Sequence, residues 1–353
     1  MLVMKRFYKE IFFAIVGIVF GSMLISIVFN PKEFSYGNWL LTEKYHQLED
    51  QSDVNTLFLG SSIVYRSVNC EQLDIASKEI QLNSFNMGAP GCTNIEQYYI
   101  YEKILEETDL KFKYAFLDLN RLRLTNEENL FTLRTIYWLN LENVQFYIKQ
   151  LYEEEHITNV KYYQVGSVLL NYAYKILSLK DFRNLVIDDK DDFSKPLPNM
   201  KNGFLALEDE VTDSITNASL QVRRNRLIKN PNFLLERVEE VKNAYNKDSY
   251  KTYISQSHLD KMRTLIKLSE AKGIKLLFII YPRLGFYEQS KVSESYCELL
   301  ALKEQLPKHI IDLGNPVEYP QLYTIDNSFD YIHLNKKGAT ILTNELSRKL
   351  ATF

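Results

Sequence analysis

The chain has 353 residues, 46% of them apolar, and a formal net charge of −3. That length calls for one domain carrying insertions or for two domains, and the apolar content supplies a core and excludes a disordered chain. With a near-neutral balance, no long basic run and no reading motif, nucleic acid is not an expected partner.

Tyr (24) and Phe (20) are abundant beside two Trp. Packing is the ordinary use of such rings, and lining a glycan or lipid groove is the other. The three cysteines, Cys70, Cys92 and Cys297, lack CxxC spacing. With few histidines besides, neither a zinc site nor any other cofactor is expected. Small buried hydrophobes is the reading for all three, with a Cys70–Cys92 disulfide left open for a domain outside the cytoplasm.

Residues 11–29 are almost wholly apolar and carry no charge. A run of about 19 residues crosses a ~30 Å hydrocarbon core at ~1.5 Å per residue. Lys5, Arg6 and Lys9 precede it, so the positive-inside rule leaves the N-terminus in the cytoplasm and the main domain outside. A cleaved signal peptide is the rival reading. The bulky stretch Ile27-Val28-Phe29-Asn30-Pro31 offers no small-residue cleavage site, which favours an uncleaved anchor. Gly17 and Gly21 have the GxxxG spacing that seats a partner helix.

A helix is expected near 39–48, then a buried strand over 54–59 that stops at the turn Gly60-Ser61-Ser62. Asn69 reads as the N-cap of a helix starting near Cys70, and a second strand fits 82–87, ending in a loop that contains Gly88. Thr93 and Glu96 form a capping box for a helix reaching about Glu107. A third strand over 114–119 ends at Asn120. This alternation calls for a parallel sheet with crossover helices, and each strand finishes in a polar or glycine cluster on one edge.

The alternation stops between about 124 and 254, where helices are expected over 141–154, 160–179 and 234–245. The piece 181–215 is charged and irregular, and its acidic run 188–192 reads as a solvated loop. Arg223, Arg224, Arg226 and Lys229 form a basic cluster. A water-exposed helix face is its default reading, with contact to anionic lipid or a charged glycan the alternative.

Alternation returns with a helix over 258–271 capped by Ser255 and closed at Gly273, and a buried strand over 275–281. A helix over 290–305, a short strand over 309–313 and a final helix from Lys336 to about Leu350, capped by Asn335, complete the chain. The expected class is α/β: a flavodoxin-like three-layer sandwich with a central parallel sheet. It carries a large helical insertion (124–254) and an N-terminal transmembrane helix. Residues 1–30 form the cytoplasmic stub and anchor, and 31–353 the α/β domain.

Ser62 is the candidate nucleophile. A serine hydroxyl needs a base, and the base an orienter. His333 fits the first role and Asp330, three residues earlier, the second. Donors for an oxyanion come from the strand-end clusters: the Ser62 and Gly88 backbone N–H groups and the Asn120 side chain. Ser61 is the alternative nucleophile.

These residues resemble the motif blocks of the SGNH (GDSL-type) hydrolase superfamily. Gly60-Ser61-Ser62-Ile63 stands at its Gly-Asp-Ser-x block, and Gly88 at its second-block glycine. Asp118-Leu119-Asn120-Arg121 stands at Gly-x-Asn-Asp, keeping only the asparagine, and Asp330-Tyr331-Ile332-His333 at Asp-x-x-His. The likeness covers about 54–121 and 273–350. Ser61, where the family's usual acid stands, is similar to membrane-anchored members linked to acylation of cell-surface polymers. The resemblance implies ester hydrolysis or O-acyl transfer through an acyl-serine, on an extracytoplasmic cell-envelope glycan or polymer, with a membrane-bound acyltransferase as partner. A non-catalytic member that binds a glycan or membrane partner is the competing reading.

Overall fold

The computed structural model describes residues 2–29, 39–119, 137–153, 159–176, 200–209, 214–246, 254–283 and 292–352. In chain order, α1 (Leu2–Phe29) and α2 (Trp39–Glu49) precede β1 (Thr56–Leu59), α3 (Ser62–Ser67), α4 (Cys70–Ala76), β2 (Ser84–Asn86), α5 (Asn94–Glu107) and β3 (Tyr114–Asp118). The middle holds α6 (Leu141–Glu153), α7 (Asn159–Ile176), α8 (Ser214–Lys229) and α9 (Pro231–Tyr245). The chain closes with α10 (Gln256–Ala271), β4 (Lys275–Ile280), α11 (Val292–Gln305), β5 (Ile310–Asp312) and α12 (Lys336–Leu350).

Two compact units result: 1–42 with 125–195, and 43–124 with 196–353. The stretch expected as one insertion is therefore divided, 125–195 belonging to the first unit and 196–254 to the second. In the first unit α6 buries Val144, Tyr147 and Leu151, an i, i+3, i+7 stripe, and packs on α7. The apolar run 11–29 lies in α1, where Phe12, Ile15, Ile18 and Phe20 are exposed. Among the described residues no helix is long and apolar enough to cross a membrane.

The second unit is α/β around a five-stranded, all-parallel sheet in the order β2-β1-β3-β4-β5. Its central strands carry continuous buried apolar runs, 57–59 in β1, 115–117 in β3 and 276–280 in β4, because both faces are covered. Register pairs Leu57 with Phe85 and Ala115, Phe116 with Leu277, and Ile279 with Ile311. Phe58 and Phe116 stack on neighbouring strands with centroids 4.6 Å apart.

From β1 the chain steps one way to β2 and then back across to β3. Right-handed crossovers consequently put α4 on one face and α5 and α10 on the other. On the first face α4 meets α12, with Ser77 and Ser347 hydroxyls 2.8 Å apart. On the second, α5 meets α10 through Tyr98–His258 and Tyr101–Ser269 contacts of 2.7 Å each. The reversal between β1 and β3 is a topological switch point, and the crevice beyond its strand ends is where open α/β sheets bind ligands.

The caps read from the sequence form. Asn69 accepts from Gln72 N–H, Thr93 and Glu96 make the full capping box, Ser255 accepts from His258 N–H and Asn335 from Gly338 N–H. One element differs from expectation: the turn after β1 continues into α3, too short a helix to show periodicity. Within the irregular stretch 181–215, Met200, Leu205 and Leu207 are buried and Leu205 N–H donates to the Tyr65 carbonyl at 3.0 Å. The acidic run 188–192 lies outside the described residues. All three cysteines are free and buried, so the Cys70–Cys92 pairing left open above is not formed.

Candidate active site

Ser62 is placed by the way β1 stops. Gly60 has φ +153, and a Cβ there would stand 2.3 Å from Asp118 Cβ and 2.5 Å from Val64 Cγ2. Only glycine lets the chain turn that close to β3. Ser61 then caps α3: its hydroxyl accepts from Ile63 N–H at 3.4 Å and donates to Asp118 Oδ2 at 2.9 Å. That buried bond occupies the Ser61 hydroxyl and removes Ser61 as the alternative nucleophile. Ser62, at the first position of α3, is only partly buried, and its Oγ lies 2.9 Å from His333 Nε2.

His333 comes from a loop 271 residues further along the chain. The loop closes on itself: Phe329 N–H donates to the His333 carbonyl at 2.8 Å, and Ser328 bridges Leu334. Asp330 Oδ1 accepts the N–H groups of Ile332 and His333, both at 2.8 Å. Its carboxylate oxygens lie 3.0 and 3.1 Å from His333 Nδ1. Gly338, in the first turn of α12, lets the loop seat, since a Cβ there would fall 2.0 Å from the Asn327 carbonyl oxygen.

Burial would raise the Asp330 pKa, but the His333 charge, its ring bond and the two N–H groups outweigh it and hold the carboxyl at about 2. An ionised carboxylate only accepts, so Nδ1 carries a proton and Nε2 is left to accept from the Ser62 hydroxyl. The three side chains thus stand in series, serine to imidazole to carboxylate, at the edge where β1, β3 and β4 end.

Gly88 lies against the same helix, a Cβ there being 2.7 Å from Tyr65 N. Its N–H donates to Asn86 Oδ1 at 3.0 Å, which corrects its reading as a ready oxyanion donor. Asn86 is the hub of this loop, its Nδ2 donating to the Val64 and Val68 carbonyls at 3.0 Å each. Lys44, fully buried, holds the other side by donating to the Asn86 and Gly88 carbonyls at 3.0 and 2.7 Å. Burial pushes its pKa well down. Asn120, the remaining expected oxyanion group, lies outside the described residues. Ser62 N–H opens the first turn of α3, where backbone donors have no intrahelical acceptor.

One pair was not singled out from the sequence. Asp118 and Arg283, from the ends of the adjacent strands β3 and β4, form an ion pair beneath Ser61. Gln97 fixes the Asp118 backbone from α5, donating to its carbonyl at 2.6 Å and accepting its N–H at 3.1 Å. An acid and an arginine ending neighbouring strands of one sheet was the available signal. The basic cluster read from the sequence also reaches the site. Arg223 faces Asp330 Oδ2 at 3.4 Å, and Arg224 donates to the Ser328 carbonyl, and to that of Phe329 at 3.3 Å. The default of a water-exposed face fails for these two arginines because the loop beneath them presents acceptors. His258 is buried against Tyr98.

No protein-family model matches the chain, and no curated protein matches it.

Proposed function

We propose that the chain is a serine-dependent esterase or O-acyltransferase of the SGNH type, on a flavodoxin-like sheet. The observation that carries this reading is the series of contacts Ser62 Oγ–His333 Nε2 (2.9 Å) and His333 Nδ1–Asp330 Oδ2 (3.0 Å) at a sheet switch point.

In the proposed reaction Ser62 Oγ attacks an acyl carbonyl carbon as its proton passes to His333 Nε2. Asp330 holds the resulting imidazolium. The Ser62 N–H faces the oxyanion of the tetrahedral adduct. Collapse breaks the ester C–O bond, and the departing alcohol takes the proton from His333, leaving acyl-Ser62. Water or an acceptor hydroxyl then gives its proton to His333 and attacks the acyl carbon; collapse breaks the bond to Ser62 Oγ, which takes the proton back from His333, releasing an acid or a new ester.

The apolar run of α1 and its exposed Phe12, Ile18 and Phe20 support attachment to a membrane, with 31–353 outside. That placement motivates a cell-envelope glycan or polymer as substrate and a membrane-bound acyltransferase as partner. One observation favours a second reading, a non-catalytic glycan-binding domain: Gly88 N–H is spent on Asn86 rather than aimed at an oxyanion.

The test is labelling by a serine-directed fluorophosphonate, together with turnover of an aryl acetate. Both are expected in the wild type and lost in Ser62→Ala. Equal labelling of the two proteins would rule out Ser62. No turnover, with glycan affinity unchanged in Ser62→Ala, would establish the binding reading.

A further inference from the structure

We propose that Asp118 and Arg283 are positioning residues for the nucleophile turn: Asp118 orients Ser61 so that α3 opens with the Ser62 N–H turned to the reaction, and Arg283 offsets the Asp118 charge so that the carboxylate does not oppose the oxyanion. This rests on the serine-hydrolase reading above and names two residues which that reading does not use.

The Ser61 hydroxyl accepts from Ile63 N–H at 3.4 Å and gives its own proton to Asp118 Oδ2 at 2.9 Å. A hydroxyl has one proton and two lone pairs, so an acceptor for that proton fixes where the lone pairs face. Asp118 Oδ2 also accepts the Ser61 N–H at 3.4 Å. Val64 N–H goes to the Ser61 carbonyl at 3.0 Å. The N–H groups of 61, 63 and 64 are thereby taken, and that of Ser62 is the one the reaction uses.

The arrangement brings an anion close to the chemistry. Asp118 is 1% exposed, so water does little to screen it, and it bonds the residue next to Ser62. A bare carboxylate there repels the negative charge of the tetrahedral adduct and raises the barrier. Arg283 answers this: its guanidinium bonds Asp118 Oδ1, the oxygen that Ser61 does not use. An arginine keeps its charge at every pH of interest.

Both partners are fixed from behind. Gln97 takes the N–H and the carbonyl of Asp118. Arg283 N–H donates to Tyr296 OH at 2.8 Å, and that hydroxyl donates to the Tyr281 carbonyl at 3.1 Å. The pair is built into the ends of β3 and β4 before any substrate arrives.

A double-mutant cycle on the full-length protein decides the matter, read by the rate of fluorophosphonate labelling. Arg283→Met leaves the carboxylate uncompensated and should label about 10–100-fold more slowly. In aryl acetate turnover the loss should fall on kcat and leave KM unmoved, because the repulsion acts on charge that only the transition state carries. Asp118→Asn should also be slow: whichever way its amide turns, one contact is donor against donor, with Arg283 or with Ser61 N–H. Joining the two removes both conflicts, so the double variant should label at least about tenfold faster than Arg283→Met. Arg283→Lys, which keeps the charge, should recover most of the Arg283→Met loss. Should Arg283→Met not fold, Arg283→Gln, neutral but still able to donate to the carboxylate, replaces it. Wild-type labelling by folded Arg283→Met, or a double variant no faster than it, overturns the proposal. Absence of labelling in the wild type instead overturns the hydrolase reading and with it the role of Arg283. Amide hydrogen exchange over 61–68 then judges Asp118, expected to quicken about tenfold or more in Asp118→Ala; unchanged exchange would overturn its hold on the turn.

Discussion

Asp330→Asn tests the site most sharply, because the structure says which contacts an amide keeps and which it reverses. The carboxylate accepts from Ile332 and His333 N–H at 2.8 Å each, from His333 Nδ1 at 3.0 Å and from Arg223 at 3.4 Å. An asparagine oxygen can keep the two backbone donors. Its NH2 group then occupies the second oxygen's place, donor against donor with both the imidazole and the guanidinium. The ring relieves the clash by moving its proton to Nε2, which can no longer accept from Ser62. That tautomer error costs about 10⁴-fold in a serine triad.

Stability changes too. The carboxyl sits at about 2 when folded, against about 3.9 for a free aspartate, so ionised Asp330 stabilises the fold by about 2 kcal/mol at neutral pH. Because the folded value is the lower one, this contribution is complete above about pH 4 and is lost as the pH falls towards 2. Fluorophosphonate labelling rates at neutral pH and urea unfolding across the acid range measure both effects. The variant should label about 10⁴-fold more slowly, and its stability should lack the wild-type slope in that acid window. A folded Asp330→Asn protein that labels at the wild-type rate would refute the reasoning.

Two further outcomes follow from groups outside the series. Burial lowers the His258 pKa to about 3, so an unfolded chain binds that proton first, and the wild type should lose roughly 4 kcal/mol as the pH falls from about 6.5 to 3. His258→Gln, which can still meet Tyr98 OH, should flatten that part of the urea-unfolding profile. The same slope in both proteins would show that the imidazole is not held neutral. Gly60→Ala should destabilise by ~1–3 kcal/mol or more and slow labelling, since its Cβ would meet Asp118 and Val64 at 2.3 and 2.5 Å; an unchanged melting temperature would contradict the tight turn.

Much of the second unit was legible in the sequence, because its signals are local. The apolar runs at 57–59 and 276–280 predict buried strands, and Asn69, Thr93, Ser255 and Asn335 mark helix starts through side chains that satisfy donors two to four residues away. Alternation of strand and helix then implies a parallel sheet whose polar strand ends share one edge, which is why Ser62 and the Asp330–His333 pair could be named together before any coordinates.

Tertiary structure alone decided what the neighbours of those residues are. Whether the Ser61 hydroxyl faces the imidazole or Asp118, and whether Gly88 N–H points outward or into Asn86, depends on packing between segments tens of residues apart. The sequence records Arg223 and Arg224 only as four nearby positive charges with Arg226 and Lys229. Their contact with a loop about a hundred positions away exists because α8 packs against that loop in the folded chain. Periodicity and capping report on a single segment of chain. The electrostatics of a site is a sum over groups that only the folded chain brings within a few ångströms of each other.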